Sequence, residues 1–110
     1  MLTRSKDIEV EMTFLTTQEG GRATPAFSGY RPQFYYDGTD WDAIHEYIGV
    51  EMVMPGETVK AYLAFLSPEH HIGKLHVGQQ FLIREGSRTI AKGYITQIIE
   101  LDLSSERTRK

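Results

Sequence analysis

The sequence predicts an all-β domain, a closed six-stranded antiparallel barrel with Greek-key connections. Three observations predict it: apolar and polar residues alternate with period two in successive runs, short glycine- or aspartate-containing connections separate those runs, and no amphipathic helix of convincing length interrupts them. Closure hides the strand edges that an open sheet would leave unpaired. At 110 residues, 40% of them hydrophobic and 25% charged, the chain has the size and balance for one globular core and no second module.

Ile8, Val10, Met12 and Phe14 alternate with Glu9, Glu11 and Thr13, which gives a first strand with one buried face. Gln18-Glu19-Gly20-Gly21-Arg22 carries turn chemistry, and residues 25–29 continue as loop. Gln33-Phe34-Tyr35-Tyr36 forms a second, aromatic strand, with Pro32, which lacks an N–H, at its edge or first residue. Asp37-Gly38 turns the chain into a third strand over residues 43–48, where Ile44, Glu46 and Ile48 share a face. In the fourth, Val59, Ala61, Leu63 and Phe65 oppose Lys60, Tyr62 and Leu66, with apolar groups on both faces. Residues 81–84 and 89–99 flank the hairpin connection Glu85-Gly86-Ser87-Arg88, and the last strand is expected to be long and bent near Gly93. Residues 1–7 then make a lead-in, 8–101 the barrel and 102–110 a polar tail.

Twelve basic against 15 acidic residues give a net charge of −3, so no bulk field draws phosphate backbones, and nucleic-acid binding requires a local patch. Without cysteine there are neither disulfides nor thiolate metal sites. The opening residues lack the apolar core of a signal peptide and no run is long enough to span a bilayer, which predicts a soluble cytoplasmic protein with no membrane partner. Scanning for G-x-x-x-x-G-K-[ST], G-x-S-x-G and H-E-x-x-H finds none, so no nucleotide, cofactor or catalytic residue is expected.

Gly29-Tyr30-Arg31-Pro32-Gln33-Phe34, Val50-Glu51-Met52-Val53-Met54-Pro55-Gly56 and Ile83-Arg84-Glu85-Gly86 occur in this order, together with Glu19-Gly20-Gly21-Arg22 ahead of Thr24-Pro25 and with Arg88-Thr89. From about Ile8 to Ile99 this set resembles the third, C-terminal β-barrel domain of bacterial elongation factor Tu, here as a free-standing protein without the GTPase domain. The resemblance implies a six-stranded barrel that does no chemistry, since GTP hydrolysis belongs to a separate domain of that factor. In the full-length factor the domain helps bind the T-stem of aminoacyl-tRNA, docks on the GTPase domain and meets the nucleotide-exchange factor. Arg22, Gln33, Glu85 and Gly86 match positions that touch or adjoin RNA, while Gly29 and Leu82 match positions near the GTPase-domain contact.

The departures from that pattern bear on partners. Ala23 stands where the family has histidine, Asp42 falls near its usual threonine and Ser67 replaces its lysine or histidine, so phosphate-facing donors are lost and a repulsive carboxylate is gained. Leu82 replaces a small alanine, and the segment between Pro68 and Phe81 is several residues longer than in the family. The expected function is therefore a non-catalytic binding module whose partner is a protein or a second copy of the chain, because a lone copy must cover or repolarise surface that other domains bury. The alternative is a module that contacts the T-stem of tRNA or a similar RNA helix in translation.

Bland readings stand beside these. Arg22 is equally suited to bracing its loop, and Glu85-Gly86 is ordinary hairpin material. His70, His71 and His76 read as a solvated loop because adjacent side chains on an extended chain diverge and zinc spacing is absent. His45, with Glu46, Asp40 and Asp42, reads as a solvated strand face, and most tyrosines and phenylalanines read as packing groups.

Overall fold

A computed structural model describes residues 4–108. Residues 1–3 of the expected lead-in and 109–110 of the expected tail lie outside the described residues. Six strands close into a barrel: β1 (Ile8–Phe14), β3 (Gln33–Tyr36), β4 (Thr39–Tyr47), β6 (Thr58–Phe65), β7 (Gln80–Glu85) and β8 (Arg88–Ile98). Around the wall they run β1-β6-β4-β3-β7-β8, all neighbours antiparallel, so the hairpins β3–β4 and β7–β8 are joined by longer Greek-key crossings. A separate two-stranded sheet pairs β2 (Ala26–Phe27) with β5 (Met52–Val53).

Alternation sets the register. Ile8, Val10, Met12 and Phe14 face inward opposite Ala61, Leu63 and Val59, leaving Glu9, Glu11 and Thr13 outside. A one-residue slip would exchange the two sets, so burial specifies the pairing strongly. Phe34 anchors the interior, stacked on Phe81 at 4.5 Å between ring centroids and edge-on to Phe65 at 5.1 Å. The β3–β4 turn uses Asp37 and Gly38, both at positive φ, as a two-residue hairpin with a matching twist requires. Gly93, on β8 between Met12 and Phe81, leaves the space that Phe81 occupies: a Cβ there would lie 2.7 Å from the Met12 Cβ and 2.8 Å from the Phe81 ring.

Three expectations change. The third barrel strand begins at Thr39, ahead of residue 43, because the tight turn lets pairing with β3 start at once. Its buried face is Ala43, His45 and Tyr47, with Ile44 and Glu46 on the opposite, half-buried face. The segment read as polar tail folds as α1 (Leu101–Thr108), which buries Leu101, Ser104 and Ser105 against the barrel end. It is seated on a short 3-10 helix, Pro68–His71, in the segment read as loop.

Candidate interaction surfaces

The β7–β8 hairpin, closed by Gly86-Ser87, carries a dense polar cluster. Arg22 leaves the glycine turn and donates from Nε to the Thr24 carbonyl (3.3 Å) and from Nη2 to the Thr24 hydroxyl (3.2 Å) and the Pro25 carbonyl (3.3 Å). Its Nη1 pairs with Glu85, and the guanidinium lies 4.5 Å above the Tyr30 ring. Glu85 also accepts from the Tyr30 hydroxyl and, on its other oxygen, from Arg88 at 2.7 Å. Burial raises the carboxyl pKa, but the hydrogen bonds from Tyr30, Arg88 and Arg22 outweigh it and hold the group below its ordinary value. Four acceptors for the five guanidinium N–H groups make Arg22 a brace between the 22–25 loop and the hairpin.

Arg22, Glu85 and Gly86 are thus brought together, while Gln33 belongs to a neighbouring cluster. In register it sits between Asp42 on β4 and Arg84 on β7. Arg84 lies 4.4 Å above the Tyr35 ring and its Nε is 3.4 Å from the Asp40 carboxylate. The Gln33 Oε1 is buried without a hydrogen-bond partner among the described residues.

Gly29 and Leu82 attach to different parts of the wall. The Gly29 N–H donates to the His45 carbonyl at 2.8 Å, fixing the end of the β2 segment on β4. Leu82 sits on the outer face of β7 between Tyr35 and Lys92, where a groove of 540 Å³ opens as β3 and β7 part beyond Tyr35.

The small sheet was not foreseen from the sequence. Ala26 and Val53 are cross-strand partners with 2% exposure each, and they anchor its inner face in the core. Phe27 and Met52, the other pair, are 55% and 45% exposed, with Val50 and Met54 also exposed nearby. The signal was available in the alternation Val50, Met52, Met54 around Val53, on a run too short to be read as a strand.

Two histidines expected in solvent are fully buried. His45 is on the inward face of β4, its Nδ1 3.0 Å from the Tyr47 hydroxyl and its ring 5.6 Å from that of Tyr30. Burial pushes its pKa down to about 3. His71 faces inward because the chain turns as a 3-10 helix, which sends His70 and His71 to different sides of Trp41. The His71 Nδ1 meets the Tyr36 hydroxyl at 2.7 Å and its ring packs 4.1 Å from Phe65; burial first, then the nearby His70 and Lys74 charges, lower its pKa to about 4. Neither Nε2 has a hydrogen-bond partner among the described residues. No helix among those residues is long and apolar enough to cross a membrane.

Residues 1–99 match the sequence profile of the family described as the elongation factor Tu C-terminal domain.

Proposed function

We propose that this chain, which belongs to the elongation factor Tu C-terminal domain family, is a non-catalytic, protein-binding module of the cytoplasm. The family is that of a translation-factor domain whose GTPase activity lies in another domain. One observation carries the reading: the exposed Phe27–Met52 pair, with Val50 and Met54 beside it, on a small sheet whose other face is fixed in the core. Such an apolar face on a rigid support is favourable to cover and unfavourable to leave wet. Gly29 lies two residues from it, and Leu82 offers a second, lesser contact on the β7 wall.

The test is retention of a polypeptide from host extract, followed by reconstitution with that purified polypeptide. Wild type is expected to form a stoichiometric complex, or a homodimer, that Phe27→Asp/Met52→Asp abolishes without changing the melting temperature by more than a few degrees. A wild type that stays monomeric and alone, or a variant that binds equally well, overturns the reading.

The convergence of Arg22, Glu85 and Gly86, with exposed Arg88, on one hairpin favours a second reading, contact with the T-stem of tRNA or a similar helix, with Gln33 at the margin. Because Arg22 is committed to Glu85, this binding is expected to be weak and to vanish between low and moderate salt. Arg22→Ala should abolish it, and no retention of bulk tRNA at low salt rules it out.

A further inference from the structure

The chain has four methionines, and the three within the described residues occupy two contrasting environments. Met12 points into the barrel core and is 1% exposed. Met52 and Met54 are 45% and 43% exposed and flank the buried Val53, the spacing that returns an extended chain to the same side. The backbone beneath them is fixed. Met52 pairs with Phe27 across the small sheet, while Met54 donates its N–H to the Glu57 carboxylate at 2.8 Å and accepts the Glu57 N–H on its carbonyl at 3.1 Å. A hollow of 330 Å³ beside Met52, with Val50, Val53 and Val59 in its lining, leaves that side chain open to a small solute. Half of the exposed apolar set Phe27, Val50, Met52 and Met54 therefore consists of thioethers.

We propose that Met52 and Met54 form a reversible oxidation site through which hydrogen peroxide turns the apolar face off, a regulation that rests on the protein-binding reading of that face. A lone pair of each thioether sulfur attacks one peroxide oxygen. The S–O bond forms as the O–O bond breaks, and the proton on the transferred oxygen moves to the departing one, which leaves as water. Sulfur loses two electrons and the peroxide gains them. The product, a sulfoxide, is polar where the thioether was apolar. Under a partner its oxygen would leave water, and the neighbouring side chains Phe27, Val50 and Val53 offer it no donor. Oxidation and association compete for one surface, so a bound partner shields the sulfurs and an oxidised chain binds weakly. Close packing keeps peroxide from Met12, so the barrel survives the change. Methionine sulfoxide reductases, one for each epimer and supplied with a thiol, take the oxygen back as water.

The test treats the full chain with dilute hydrogen peroxide and follows each methionine by peptide mapping, the fold by melting temperature, and the affinity for the polypeptide retained from host extract or, for a homodimer, the dimer's own dissociation. One added oxygen is expected on Met52 and on Met54, with Met12 lagging by at least about tenfold. The melting temperature should stay within a few degrees while the affinity falls at least about tenfold, and the reductases should restore it. In Met52→Leu/Met54→Leu the affinity, whatever its starting value, should be the same before and after peroxide. Early oxidation of Met12, a melting temperature that falls as oxygen is added, a complex that survives both sulfoxides, an equal loss in the leucine variant or no recovery with the reductases would each overturn the regulation alone. A reduced chain that binds nothing removes the protein-binding reading itself, and the regulation with it.

Discussion

Asp7 is fully buried and joins three distant parts of the chain. Its carboxylate accepts the Phe65 N–H at 2.8 Å and the Ser104 hydroxyl, while its backbone carbonyl accepts the Ile99 N–H at 2.9 Å. Removing the carboxylate strands a buried donor on β6 and loosens α1, so Asp7→Ala should destabilise the fold by about 2–4 kcal/mol, read from the urea midpoint. Ser104→Ala, which leaves Phe65 satisfied, should lose only about 1 kcal/mol. Glu85 is a similar node nearer the surface: Glu85→Ala leaves Arg22 and Tyr30 without their shared acceptor and should lower stability by roughly 1–2 kcal/mol in the same assay. The bracing role of Arg22 was legible in the sequence, since an arginine after two glycines has loop carbonyls within reach. Asp7, His45 and His71 were not, because a polar residue reads as surface until the register that buries it and the partner that satisfies it are both known.

Among elements, the six barrel strands were legible because a half-buried strand writes its inward face into the sequence with period two. β4 shows where that signal weakens: Ile44 and Glu46 do share a face, but the buried set opposite them is Ala43, His45 and Tyr47, two of which carry polar groups, so apolarity does not mark the inward side. α1 was invisible for a related reason. It buries two serines and one leucine, and its stability comes from Asp7 and the 3-10 helix rather than from an apolar stripe of its own. Gly93 tests the wall itself. Gly93→Ala places a methyl group 2.5 Å from the Glu11 carbonyl oxygen, where backbone must yield, and should destabilise by about 1–3 kcal/mol in thermal unfolding.

For the molecule as a whole, the six strands close on themselves and two histidines are buried, His45 on the wall and His71 at the end of the 3-10 helix. Both have folded pKa values below their ordinary 6.5, about 4 for His71 and about 3 for His45, so the unfolded chain takes up protons first as pH falls. Their contribution to stability is complete above pH 6.5 and is lost progressively below it, down to pH 4 for His71 and pH 3 for His45. By pH 5 the loss should be roughly 2 kcal/mol per histidine, seen as a falling melting temperature in calorimetry between pH 7 and 5. His71→Gln should flatten that slope, and an unchanged slope would mean that the ring is not sealed from water.

The same end of the barrel holds the chain's single tryptophan, Trp41, stacked on His70 at 5.3 Å and edge-on to His71 at 4.7 Å. The indole is therefore a built-in optical gauge of that clasp. Lifting the 3-10 helix would wet one aromatic ring and shift the emission of the whole protein to longer wavelength, so the opening of this end can be timed without a label.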